Sequence, residues 1–304
     1  MKEKILVIGA SGLVGSRFAD LYHSQTPAIT PKSEELDITN KKAVQLFFDT
    51  NHQDFHSVIN FAAYTDVDAA EKQRGDEKGD AWAINVVGAQ NLAEAAKSFD
   101  KFFVQISTDF VFPGTHDSPG PYGEDAKTSE SPDSLSWYGW TKLLGERRVR
   151  EAYPASSIVR ISYPYRAHFT GKLDFARNIL MLYDGGKLYP MFNDQKLTPT
   201  FIDEACKVFY LLLEEKKKGI YHVASTDLVS PFEFASYLLD KARGVKEIVK
   251  EGSMQEFLKT PGRTTRPRLG GLLNEKTREE LGITLMTSKE AIDELVKQLK
   301  SGLT

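Results

Sequence analysis

The sequence predicts an α/β protein: a doubly wound parallel sheet followed by a smaller C-terminal part. Three observations carry that expectation. Short apolar runs rich in β-branched residues alternate with helical text as far as Ile161, a glycine-bearing turn follows the first run and opens a helix, and the alternation breaks down after Ile161. Continuous apolar runs are the mark of strands buried on both faces of a parallel sheet, and strand–helix alternation supplies the crossovers that cover those faces.

Ile5-Leu6-Val7-Ile8 is the first strand, and Leu13 to about Ser24 reads as the helix after it. Ala28-Ile29-Thr30 is a weak second strand, and Thr39 is placed to cap a helix from Lys41 to Thr50. Ser57 to Ala62 is the third strand, Ala81 to Ser98 a long alanine-rich helix, and Phe102 to Ser107 another buried strand. A loop rich in Gly, Pro, Ser and Asp covers Pro113 to Ser136. A helix carrying Tyr138 and Lys142 follows, and Ser157 to Ile161 closes the regular series. Beyond it, helical stretches at 174–182, 200–215, 233–242, 275–281 and 289–299 and a late strand at 219–224 belong to a looser arrangement. Residues 1–161, with 198–224 returning to them, are expected to form a dinucleotide-binding domain. Residues 162–197 and 225–304 form a smaller substrate-binding lid across the carboxyl ends of the strands, where ligands of such sheets bind.

At 304 residues, with 41% hydrophobic and 27% charged residues, the chain has the composition of an ordinary globular protein. Its net charge of -3 gives no electrostatic reason to expect nucleic acid or an anionic membrane surface. A single cysteine, Cys206, excludes an internal disulfide and fits a reducing compartment. The N-terminal apolar run is too short for a signal peptide, and no stretch approaches a membrane span, so a cytoplasmic protein is expected. Six histidines show no metal-ligand pairing beyond His52 and His56, whose simpler reading is a solvated loop; no metal is expected.

The chemistry lies in two motifs. Gly9-Ala10-Ser11-Gly12-Leu13-Val14-Gly15 follows the first strand and opens a helix, so its backbone can approach a pyrophosphate at a helix N-terminus. The spacing is G-x-x-G-x-x-G; by itself it is also compatible with an ordinary turn, and its position favours dinucleotide binding. Where a carboxylate would read the ribose of NAD, the second strand ends in Thr30-Pro31-Lys32-Ser33. Lys32 or Arg17 is available for a 2′-phosphate, which tilts the choice between NADPH and NADH toward NADPH; both are also readable as solvated charges. The second motif is Tyr138 and Lys142, four apart and hence on one helix face. An ammonium beside a phenol favours the phenolate and eases loss of its proton. Among 12 tyrosines that spacing is weak alone; Ser107-Thr108 between the two motifs gives it weight.

These residues resemble the extended short-chain dehydrogenase/reductases, whose fold is of Rossmann type, and within them the dTDP-4-dehydrorhamnose reductase family. Besides the fingerprint and Tyr138-Gly139-Trp140-Thr141-Lys142, the resemblance rests on Glu35 to Thr39, Asn60 to Asp68, Ala83-Ile84-Asn85, Ile106 to Phe112, Arg160 to Tyr163, Pro199-Thr200 and Arg266-Pro267. It implies that Tyr138 is the proton donor. Lys142 would hold the nicotinamide ribose while lowering the tyrosine's pKa, and Thr108 would hydrogen-bond the substrate carbonyl. Gly9, Ser11, Gly12, Leu13, Val14, Gly15, Lys32, Phe61 and Ser107 would contact the cofactor, with Asp37 and Ile38 by the adenine. Ala62, Ala63 and Tyr64 would line the dinucleotide, with Asn85 in support and Tyr163 beside it. Thr65, Val67, Asp109, Phe110, Tyr163 and Arg266 would meet the substrate. Each has a plainer role open to it: Asp37 as a helix cap, Tyr64 as packing, Asn85 as a partner for backbone groups of its own helix.

Three positions depart from the family. Phe110 stands where a tyrosine is usual, Tyr163 where a tryptophan is usual, and Ser131 to Trp137 lacks the usual Pro-Leu-Asn-x-Tyr form. All three concern the substrate pocket. The resemblance implies NAD(P)H-dependent reduction of the 4-keto group of a nucleotide-linked 6-deoxyhexose, in dTDP-L-rhamnose synthesis, with a homodimer left open as an alternative to a monomer. Two rivals remain. One is another sugar-nucleotide enzyme, a 4-epimerase or a 4,6-dehydratase, the latter disfavoured because Phe110 replaces the acid of Thr-Asp-Glu. The other is a non-catalytic dinucleotide-binding subunit resembling the methionine adenosyltransferase β-subunit.

Overall fold

The computed structural model describes residues 4–22 and 24–302; His23 and the first three residues lie outside them. Six strands form one sheet: β1 (Lys4–Ile8), β2 (Ala28–Ile29), β3 (Phe55–Asn60), β4 (Phe102–Thr108), β5 (Ser157–Ile161) and, after the short β6 (Met191–Phe192), β7 (Gly219–Val223). Their order is β2-β1-β3-β4-β5-β7, with parallel pairing among the first four. This is the expected doubly wound, Rossmann-type α/β architecture. The order reverses between β1 and β3, the switch point at which open α/β sheets bind ligands.

Register decides what meets there. Ile8 of β1 is aligned with Asn60 of β3, and Asn60 with Gln105 of β4. The glycine turn after Ile8, the loop after Asn60 and the Ile106–Thr108 segment therefore all leave the sheet from one transverse row. Every residue of β4 is buried, as a central strand covered on both faces requires. One core joins Leu6, Val58, Phe103 and Ile158 to Val44, Phe48, Leu92 and Val149 of the crossover helices. A separate aromatic group brings Phe18 and Phe61 to Phe209, with ring centroids 5.6 to 6.3 Å from Phe18.

Local chemistry sets several boundaries. The helix Lys41–Asn51 is capped by Asn40, whose side chain accepts from the amides of Lys42 and Ala43. Thr39, expected to cap it, instead bonds Asp37 through both its amide and its hydroxyl. The expected helix from Ala81 to Ser98 is one continuous path, but a π-helical turn, Ala83–Gly88, separates Asp80–Trp82 from Ala89–Ser98.

The chain divides into two compact units, 1–111 with 128–160 and 206–221, and 112–127 with 161–205 and 222–304. The returning segment is thus shorter than the expected 198–224. The loop 112–127 belongs to the second unit because its backbone bonds there: Gly114 O accepts from Arg268 and Leu269, Gly120 N donates to Leu269 O, and Tyr122 N to Gly271 O. Thr200, expected in the first unit, is fixed in the second by bonds to Ser162 N and Val223 O. The second unit has its own core, including Tyr165, Ile179, Phe201, Phe234, Leu238 and Leu295. β8 (Glu251–Gly252) pairs there with β6 as a two-stranded sheet that the sequence did not signal. No helix among the described residues is long and apolar enough to cross a membrane.

Candidate active site

The site is built at the row where Ile8, Asn60 and Gln105 end. Gly9 has φ +75°, and a Cβ there would stand 2.6 Å from Ala62 N. Only glycine allows this turn to approach the loop after β3 so closely. Leu13 begins the following helix, so Ser11 and Gly12 stand exposed at its N-terminal end, where orphan amides favour an anion.

Phe61 to Tyr64 follow β3. Ala62 N donates to Asn60 Oδ1 at 3.0 Å, and Tyr64 N to Asn85 Oδ1 at 2.9 Å. Asn85 sits in the π-helical turn, a feature common at functional sites. Its Nδ2 donates to Tyr64 O at 3.2 Å and to Thr141 Oγ1 at 3.0 Å, and Thr141 in turn donates to Tyr138 O. Asn85 therefore serves not its own helix but the backbone of a neighbouring loop and the helix of Tyr138. Thr65 and Asp66 are exposed; Asp66 caps the short helix Val67–Glu71 by accepting from Ala69 N. Glu71 at its end accepts from Trp137 N at 2.8 Å.

Tyr138 stands one residue into the helix Trp137–Ala152, which Ser136 caps through Gly139 N. A Cβ at Gly139 would lie 2.3 Å from Phe110 O, so glycine lets this helix seat directly against the segment after Thr108. The Tyr138 and Phe110 rings meet edge to face with centroids 5.5 Å apart. Thr108 Oγ1 donates to Asp109 Oδ1 and accepts from Phe110 N, which fixes its hydroxyl at the end of β4.

Burial pushes the Tyr138 phenol up to about 12; the Thr108 hydroxyl pulls against this and the Asp109 carboxylate adds to it. Burial pulls the Lys142 ammonium down to about 8, opposed by the Glu146 carboxylate. The expectation that Lys142 lowers the tyrosine's pKa is not met in the chain by itself. The ammonium donates instead to the carbonyl of Ile106 at 2.8 Å, and desolvation dominates both groups. Glu146 is itself held by a buried, two-pronged ion pair with Arg160, at 2.9 and 2.7 Å. Removing one partner of such a pair typically costs about 3–5 kcal/mol.

Thr108, Tyr138, Lys142, Asn85, the Ala62–Tyr64 loop and the glycine turn are thus brought to one end of one sheet. Ser107 Oγ is buried there without a hydrogen-bond partner in the chain, as a hydroxyl reserved for a ligand would be. Asp37 is exposed and Ile38 is buried against Gly88, while Lys32 is exposed and bonds through its backbone to Glu35. Tyr163 and Arg266 belong to the second unit. Tyr163 has the left-handed φ of 42°, rare for a bulky residue. Its hydroxyl accepts from Gln195 Nε2, which also donates to the carbonyl of Pro267, next to Arg266. His52 and His56 each face a backbone carbonyl, of Phe48 and Lys4. Sequence reasoning gave Gln105 no role and Asn60 none beyond opening the Asn60–Asp68 segment; their shared register sets the two amides opposite each other, and Gln105 reaches the carbonyl that holds the lysine.

A family model described as the RmlD substrate binding domain matches residues 2–301. The chain belongs to this family. It aligns over nearly its whole length with reductases. It is 31% identical over 312 residues to the dTDP-4-dehydrorhamnose reductase of Mycolicibacterium smegmatis, covering 100% of this chain and 88% of that one. It is 30% identical over 297 residues to a probable low-salt glycan biosynthesis reductase of Haloferax volcanii, covering 93% and 94%. The crystal structure of a dTDP-4-dehydrorhamnose reductase from Bacillus anthracis in complex with NADP matches with a TM-score of 0.85 at 29% identity, over 98% of this chain and 100% of that one.

Proposed function

We propose that this RmlD-family chain is an NADPH-dependent reductase of the 4-keto group of a nucleotide-linked 6-deoxyhexose, with dTDP-4-dehydrorhamnose as the first substrate to test. One observation carries the reading: a neutral buried phenol, a threonine hydroxyl and a buried lysine converge where β4 leaves the sheet, beside a glycine turn suited to a pyrophosphate. The orphan hydroxyl of Ser107 and the N-terminal end of the helix Leu13–Tyr22 fit a dinucleotide. When bound, NADPH supplies the hydride that the sugar carbon receives.

The chain's own residues do the rest. Thr108 orients the carbonyl oxygen, and Tyr138, protonated throughout the physiological range, gives its proton to that oxygen as charge develops. A positioned acid of this kind contributes about a hundred- to ten-thousandfold. Lys142 has three N–H donors; Ile106 O takes one and leaves two for the ribose hydroxyls. Its positive charge beside the site favours the phenolate that remains, until water restores the proton. Asn85 holds the Tyr64 loop and the Tyr138 helix in mutual register. Lys32 and Arg17 are assigned to the 2′-phosphate, and Tyr163 and Arg266 to the sugar nucleotide.

The test is isotopic. With 4-deuterated NADPH and dTDP-4-keto-6-deoxy sugar, the expected product is a 4-hydroxy sugar nucleotide carrying deuterium at C4. No NADPH consumption with the keto sugar, together with inversion at C4 of a 4-hydroxy sugar nucleotide, would instead indicate an epimerase.

A further inference from the structure

One buried polar chain runs across the sheet beneath the site. Asn60 and Gln105 are directly opposed in the β3–β4 register, and Asn60 Nδ2 donates to Gln105 Oε1 at 2.9 Å. At one end Asn60 Oδ1 accepts from Ala62 N at 3.0 Å. At the other Gln105 Nε2 donates to Ile106 O at 2.9 Å, the same oxygen that accepts from Lys142 Nζ. Asn60 is fully buried, and Gln105 and Lys142 are 3% and 5% exposed, so water does not substitute for these bonds.

The ends fix the orientation of both amides. A backbone N–H at Ala62 demands the oxygen of Asn60, and the carbonyl of Ile106 demands the nitrogen of Gln105; flipping either side chain sets like against like. Ile106 lies one residue beyond the last β3–β4 pair, so the strand ladder on that side no longer engages it. Its two lone pairs are filled by Gln105 and Lys142. The lysine is thereby held against a carbonyl whose own direction is set from the far side by the loop that begins at Phe61.

We propose that Gln105, backed by Asn60, is a positioning residue for Lys142, tying it through the Ile106 carbonyl to the Ala62–Tyr64 loop. This rests on the reading that Lys142 serves a bound nicotinamide nucleotide. A polar filler of the core would stabilise the fold equally with or without the lysine. A positioning residue acts only through it.

A double-mutant cycle separates the two roles. NADPH affinity is read by nicotinamide fluorescence, independently of any sugar, and kcat is read with the dTDP-4-keto sugar. Gln105→Met keeps shape and strips both polar ends. It is expected to lower kcat by about tenfold, the worth of one buried hydrogen bond, and to weaken NADPH binding while KM for the sugar holds. In a Lys142→Met background the same change is expected to do nothing further to either quantity. Equal losses in both backgrounds would overturn the proposal.

Gln105→Glu is the second variant, chosen because it keeps the acceptor for Asn60 if the Met variant fails to fold. Nζ and Nε2 share one acceptor, so a carboxylate at this position lies within reach of the ammonium. The groups already near the lysine and its helix, Glu146 with Arg160, Tyr138 and Asp109, are unchanged in this variant. The alkaline limb of kcat/KM, set by Lys142 near pH 8, is expected to move up by about one unit. An unmoved limb would contradict the proposal. Failure of wild-type turnover with intact NADPH binding would instead fault the sugar assignment and leave the binding cycle to decide the role of Gln105.

Discussion

Burial acts on Tyr138 and Lys142 in opposite senses. It keeps the phenol protonated, with its pKa at about 12, and it makes the ammonium easier to discharge, at about 8. The rate of the proposed reduction should therefore fall above pH 8 because of the lysine, long before the tyrosine ionises. Tyr138→Phe removes only the transferable proton. It is expected to bind NADPH normally by fluorescence titration and to lose about a hundred- to ten-thousandfold in kcat. Lys142→Met tests the cost of the buried charge. A lysine pKa lowered from 10.5 to about 8 corresponds to about 3 kcal/mol against the charged fold, less about 1 kcal/mol for the bond to Ile106. The ligand-free variant should thus melt several degrees above wild type at pH 7. The advantage fades as pH rises: between about 8 and 10.5 the unfolded lysine keeps its proton and the native one does not. Wild-type stability then rises with pH, and the variant's advantage should vanish by the upper limit. Tyrosine and lysine were legible in the sequence because helical spacing pairs them. The direction of the ammonium was not, since the spacing does not show that a carbonyl of β4 stands nearer to it than the phenol.

The elements that place these residues are joined by side-chain amides and close backbone approaches. Asn85 is the clearest case. It is 2% exposed and bonds both the N–H and the C=O of Tyr64 as well as Thr141. Asn85→Ala leaves buried backbone groups without partners and should cost about 1–3 kcal/mol by chemical denaturation, with weakened NADPH binding. Asn85→Asp, which retains the acceptor for Tyr64 N, should recover part of both. The strand–helix alternation was plain in the text because buried strands are short apolar runs and helices are long amphipathic ones. The π-helical turn at Ala83–Gly88 was not, because a change from four- to five-residue bonding within a helix leaves no composition signal. β6 and β8, two residues each, are too short to show any alternation. In the second unit, Gln195 and Tyr163 make the departure from tryptophan specific. The tyrosine hydroxyl accepts from Gln195, whereas an indole N–H only donates. Tyr163→Trp is therefore expected to set two donors against each other and raise KM for the sugar nucleotide, leaving the Kd of NADPH unchanged. Tyr163→Phe, which removes the acceptor without adding a donor, should do less.

On the scale of the whole molecule, a doubly wound parallel sheet was foreseeable from the alternation, its strand order was not read from the sequence, and the membership of two compact units was only partly foreseen. The loop 112–127 joins the second unit through backbone bonds to residues about 150 positions away, and Thr200 through its hydroxyl to residues 38 and 23 positions away, which no local pattern announces. Family membership over residues 2–301 and the match to an NADP complex make reduced nicotinamide the natural ligand to try first. Saturating NADPH at about a hundred times its Kd should stabilise the protein by about 2.7 kcal/mol. Hydride transfer to a nucleotide-linked 4-keto sugar with Tyr138 as the acid would consume NADPH only while that phenol is present. The most direct measurement follows nicotinamide absorbance when wild type and Tyr138→Phe are each mixed with NADPH and freshly prepared dTDP-4-keto-6-deoxyhexose. Stoichiometric loss of NADPH with wild type, and nearly none with the variant, is the expected result. Loss at the same rate in both, or no loss from a wild-type protein that demonstrably binds NADPH, would contradict it.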